Sequence, residues 1–82
     1  MTHTEPNIAS LTLDLCHLTC PLPILKAKKA IKQLPSGCLL TVLATDPSAE
    51  QDFKEFCSLT GNNLESHSIN DGLFTFHIRV KK

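Results

Sequence analysis

The chain has 82 residues, eight basic and eight acidic side chains, and a formal net charge of zero. That length makes one domain and buries only roughly 60–65% of the surface its unfolded form exposes, which excludes a deep substrate cavity. The charge balance excludes wholesale attraction to nucleic acid or an anionic membrane, and 41% hydrophobic with 20% charged residues is ordinary for a soluble globular domain.

Residues 1–9 are polar, contain Pro6, and read as a loose tail ahead of a single domain over residues 10–82. No basic stretch followed by an apolar run opens the chain, and its apolar runs are far shorter than a membrane span. A cytoplasmic protein with no membrane insertion is the expectation. Leu11, Leu13 and Leu15 alternate with Thr12 and Asp14, the period of a short strand. After Cys20-Pro21-Leu22-Pro23 the period changes, and Ile24, Ala27, Ala30, Ile31 and Leu34 fall on one helical stripe opposite Lys26, Lys28, Lys29, Lys32 and Gln33. Pro21 and Pro23 fit only the first turn, where missing N–H groups cost little, and Pro35-Ser36-Gly37 stops the helix near Leu34.

Residues 39–44 are an apolar run of strand length, expected as an inner strand. Thr45-Asp46-Pro47-Ser48 opens a second helix, capped either by Asp46 or by a Ser48–Gln51 capping box. Ala49, Phe53, Phe56, Cys57 and Thr60 share its apolar face, and Gly61 ends it. Residues 64–69 form a weak strand, and Asn70-Asp71-Gly72 a hairpin turn. Phe74, Phe76, Ile78 and Val80 alternate in the last strand. The order is β-α-β-α-β-β. The first two strands, joined by a helix, are expected parallel, and the closing pair antiparallel. Each helix has one apolar stripe, so both fit one face of a four-stranded mixed sheet in a two-layer α/β sandwich.

Four cysteines stand at 16, 20, 38 and 57. With no signal segment visible, a disulfide framework is not expected. No metal is expected either, because there is no Cys-x-x-Cys pair and the histidines lack ligand spacing. Cys20 is the chemical candidate. Placed at the cap of the first helix with Pro21 as its first residue, the sulfur would meet unsatisfied backbone donors and the positive end of the helix dipole. Both lower a thiol's pKa. With two donors removed by the prolines, the Leu22 N–H would be the nearest one. The competing view is a small buried residue at a strand–helix junction.

Asp14 to Pro23, Asp-Leu-Cys-His-Leu-Thr-Cys-Pro-Leu-Pro, resembles the Cys-Pro-x-Pro signature of the TusA (SirA-like) sulfur carrier family. The likeness runs on through residues 24–31, Ala44-Thr45-Asp46-Pro47, Asp52-Phe53, Phe56-Cys57 and Phe74-x-Phe76-x-Ile78. It implies a carrier that takes sulfur as a persulfide on Cys20 from a pyridoxal-phosphate cysteine desulfurase. The carrier then passes it to an acceptor protein, often toward tRNA thiolation. It also implies a relay member with no cofactor of its own and no independent catalysis. The family pattern usually has glycine where this chain has His17; if that position has positive φ, histidine there is strained.

Secondary candidates surround this centre. Cys16 could resolve an oxidised Cys20, making a thiol redox protein. His17 could assist proton transfer. Asp46 and Asp52 recur in the family pattern, but their spacing defines no acid–base pair. Leu25 falls among Lys26, Lys28, Lys29 and Lys32 on the polar side of the helix, a candidate docking patch for a partner. A small RNA- or protein-binding regulatory module is the third reading. Neutral charge and the lack of Trp and Tyr weigh against direct nucleic-acid binding.

Overall fold

The structure, a computed structural model, describes residues 10–81; the tail expected at 1–9 lies outside the described residues. The elements are β1 (Ser10–Leu15), α1 (Leu22–Lys32), β2 (Leu39–Ala44), α2 (Ala49–Thr60), β3 (Asn63–Asn70) and β4 (Leu73–Arg79). Strand order is β1-β2-β4-β3, with β1 parallel to β2 and the other neighbours antiparallel. The central position of β2 explains its apolar run, and that of β4 explains its strict alternation.

Registers Leu13↔Val42, Leu15↔Ala44, Leu40↔Ile78 and Val42↔Phe76 put the apolar side chains of three strands on one face. Both helices cover that face, α1 over β1 and β2, and α2 over β3 and β4. Phe53 of α2 and Phe76 of β4 are fully buried at its centre with ring centroids 4.8 Å apart. Such an aromatic pair is worth about 0.5–1.5 kcal/mol beyond the area it buries. The expected two-layer sandwich, with its element order and strand directions, is therefore the observed one.

Several local expectations change. Helix α1 begins at Leu22, with Pro21 in the cap position and Pro23 buried in the first turn. Cys20, expected at the cap, thus lies one residue upstream of it. Helix α2 begins at Ala49 with Ser48 in the cap position. The Ser48–Gln51 box does not form, because the Ser48 hydroxyl goes to Asp52, whereas Asp46 Oδ1 accepts the Ser48 N–H at 3.1 Å as the capping carboxylate the sequence offered. Thr60 is exposed, its hydroxyl donating to the Phe56 carbonyl at 2.8 Å. Strand β3 is longer than expected and carries an irregularity between Leu64 and Ser66. Glu65, the residue between them, makes a two-pronged pair with Arg79 at 2.9 and 3.2 Å. In the hairpin turn Asp71 and Gly72 both have positive φ (52° and 81°), the backbone a two-residue turn between twisted strands requires.

Candidate functional site

The loop between β1 and α1 is fastened at both ends. Near its start, the Cys16 N–H donates to Asp14 Oδ1 at 3.0 Å. The His17 N–H donates to Thr45 Oγ1 at 2.8 Å, and the Cys20 N–H to Asp46 Oδ2 at 2.7 Å. Thr45 and Asp46 follow β2, which lies beside β1, so parallel pairing is what brings the two turns together. Asp46 also accepts the Ser48 N–H at 3.1 Å. Those two backbone donors, Ser48 first and then Cys20, hold its carboxyl below the ordinary carboxylate range. Asp46 is therefore a clasp between the Cys20 loop and the entrance of α2.

His17 has φ of 69°, so it stands in the left-handed backbone region that the replacement of the family's glycine by histidine had raised. Histidine tolerates that region better than branched residues do. Its N–H bond to Thr45 is what fixes it there.

The expectation of an acidified Cys20 is overturned. The Leu22 N–H donates to the Thr19 carbonyl at 2.9 Å, and the Cys20 N–H is spent on Asp46. What reaches the sulfur instead is a carboxylate. A hydrogen bond to Asp52 is the largest influence on the thiol and pushes its pKa up. Partial desolvation and the charges of Asp52 and Asp46 act the same way, and the Ser48 hydroxyl acts weakly against them. Asp52 lies one turn into α2, and its Oδ2 accepts from Ser48 Oγ at 3.2 Å.

Cys20 is the only exposed member of the chain's four cysteines. It lines an open groove of about 220 Å³ between α1 and α2, together with Pro21, Ile24, Asp52, Glu55, Phe56 and Leu59. Leu59, 80% exposed, lines this groove beside the Asp52 and Glu55 carboxylates, and Leu22 and Leu25 of α1 are 43 and 53% exposed. The neighbouring face of α1 presents Lys26, Lys28, Lys29 and Lys32, all exposed.

All four cysteines are free. Cys16 is half-buried, and its thiol is held to Asp14, which raises its pKa. A thiol so held is a weaker attacking group for a Cys16–Cys20 redox pair. Cys38 and Cys57 belong to the core, and burial pushes the Cys57 thiol up to about 11.

Sequence reasoning missed Ser48, Thr45, Glu55 and Leu59 as parts of this site. The (i, i+4) spacing of Ser48 and Asp52 was a legible signal that their side chains meet. Nothing local could have shown that the pair faces Cys20.

The family model described as sulfurtransferase TusA matches residues 11–80. A Neisseria meningitidis serogroup A protein, provisionally named a sulfur carrier, is 53% identical over 72 residues, covering 88% of this chain and 97% of its own length. Sulfur carrier protein TusA of Allochromatium vinosum is 46% identical over 70 residues, 85% of this chain and 90% of that protein. Among solved structures, a SirA-like protein from Desulfitobacterium hafniense superposes with a TM-score of 0.75, covering 87% of this chain and 97% of that one. Its sequence identity is 23%, so that likeness concerns the fold alone.

Proposed function

This chain belongs to the TusA sulfur carrier family, and from that premise we propose that Cys20 is the residue that carries the sulfur, as a persulfide. The observation that carries the assignment is the exposure of Cys20 at the Cys-Pro-Leu-Pro turn, while the other cysteines are buried or held. A carrier needs an accessible thiol and docking surfaces, not a chamber, and an open groove lined by Ile24, Phe56 and the exposed Leu59 is of that kind. The domain over residues 10–82 acts as a relay member and not as an independent catalyst.

In the loading step the Cys20 sulfur attacks the outer sulfur of a donor persulfide. A new S–S bond forms at Cys20, the donor's S–S bond breaks, and its electron pair stays on the donor thiolate. The thiol proton passes to that thiolate, so no oxidant or reductant is consumed. A pyridoxal-phosphate cysteine desulfurase is the donor this chemistry suits, and an acceptor protein takes the sulfur onward. The fixed backbone of Pro21 and Pro23 sets the sulfur at the end of α1. Asp46 holds the loop from the other side.

Docking falls to Leu25 and to Lys26, Lys28, Lys29 and Lys32, whose charges suit an acidic partner surface. His17 and Cys16 serve the loop's shape through their N–H bonds rather than the chemistry. The test is to incubate the protein with a cysteine desulfurase and cysteine and take intact masses. A reducible gain of one sulfur atom, absent in Cys20→Ser, supports the reading; no gain in the wild type overturns it.

A further inference from the structure

The exposed thiol sits among carboxylates. Asp46 faces its loop from the turn before α2, Asp52 and Glu55 share its groove from α2, and α1 adds only the uncharged Pro21 and Ile24 there. On the loop itself, Cys16 and His17 are tied through their N–H groups to Asp14 and Thr45. Asp52 is not loosely placed, because the Ser48 hydroxyl orients its Oδ2 at 3.2 Å. An arrangement that withholds the thiolate is an odd one for loading sulfur, and its value shows in the opposite direction of transfer.

A loaded carrier loses its cargo when a small thiolate attacks the outer sulfur. The attacker forms a new S–S bond to that sulfur, the bond to Cys20 Sγ breaks, and the electron pair remains on Sγ, which then takes a proton from water. Such a displacement is faster the more readily the departing sulfur bears negative charge. It is also faster the more freely an anion can approach.

We propose that Asp52 is a positioning residue that retains sulfur on Cys20 against small thiols, its Ser48-oriented carboxylate opposing both the departure of Sγ as a thiolate and the approach of an anionic attacker. This role rests on the sulfur-carrier reading above. A docked acceptor escapes the restriction by bringing its own proton donor to Sγ, which a small thiol in solution lacks. The raised pKa of the free Cys20 thiol is the resting-state sign of the same opposition.

The experiment uses the full chain as wild type, Asp52→Asn and Ser48→Ala. Alkylation of Cys20 by iodoacetamide is followed against pH by peptide mass. Separately, protein loaded by desulfurase and cysteine is desalted and exposed to glutathione or 2-mercaptoethanol, and the persulfide left on the Cys20 peptide is timed. Asp52→Asn is expected to move the alkylation midpoint to lower pH. It should also shorten the persulfide lifetime on the order of threefold, more with anionic glutathione than with mercaptoethanol. An unchanged midpoint or an unchanged lifetime in folded Asp52→Asn overturns the proposal. If circular dichroism shows that variant unfolded, Ser48→Ala, which frees the carboxylate to swing away, is judged by the same two criteria. A wild type that never loads sinks the sulfur-carrier reading itself; normal loading with unchanged lifetimes sinks only the retention role.

Discussion

The two sides of α1 have similar shapes and opposite charge. Toward α2 lies the groove of Cys20, about 220 Å³, with Asp52 and Glu55 in its wall. Toward β1 lies a groove of about 250 Å³ with Leu13 and Ala30 in its lining and Lys26 and Lys29 beside them. A formal net charge of zero therefore conceals a division of labour within one helix width. On the readings proposed above, the carboxylates manage the sulfur's own charge and the lysines attract a partner's surface. The lesson is that the chemistry and the docking of this carrier can be altered separately.

The division depends first on the shared platform. Phe53 anchors α2 to the sheet, and Phe53→Ala should cost about 3–5 kcal/mol of unfolding free energy. Against a typical total of about 5–15 kcal/mol, that loss would impair both sides together; urea unfolding measures it.

Reversing Lys28 and Lys29 to glutamate probes the basic side alone. Loading by the desulfurase should slow by roughly tenfold at low salt and less at high salt, since steering charges act on encounter and are screened. Cys20 alkylation should stay as in the wild type. A loading rate equal to wild type at low salt would remove the lysine face from the docking surface.

That much of the basic side was legible in the sequence, because helical spacing alone separates the lysines from the Ala27–Ile31–Leu34 stripe. The order of elements along the chain was legible for the same reason, in the periods of Leu11–Leu15 and Phe74–Val80, whereas the sheet order β1-β2-β4-β3 was not. The acidic side was not. Its first contact joins Cys20 to Asp46, 26 positions away, and exists only because β1 and β2 pair in parallel. Its second needs α2 packed with Asp52 beside the start of α1. Local reasoning could place Cys20 near a helix start, but it could not see which partners take the free donors or which charge arrives from another helix. The thiol's acidity was misjudged on that account.

A smaller effect is expected at His17. His17→Gly relieves the left-handed backbone at φ 69° and should stabilise the fold by about 0.5–1 kcal/mol, part of the relief being offset by glycine's freedom when unfolded. Thermal melting reads this, and a destabilised His17→Gly would mean that the imidazole itself holds the loop.

An effect confined to high pH sits away from both sides, at Cys57. Its folded pKa is raised from 9.0 to about 11, so above pH 9 the unfolded chain loses this proton more readily than the folded one. Its contribution is complete below 9 and declines as pH rises toward about 11. Cys57→Ala should flatten that part of the stability–pH curve measured by urea unfolding. An identical slope in both proteins would show that Cys57 titrates alike folded and unfolded.

The most direct measurement is peptide mapping of protein loaded by a cysteine desulfurase with radiolabelled cysteine sulfur. The label should sit on the peptide bearing Cys20, leave on reduction, and be missing from the peptides bearing Cys16, Cys38 and Cys57. Label on Cys16, or a Cys16–Cys20 disulfide with no label at all, would contradict the assignment of Cys20 as the sulfur-bearing residue.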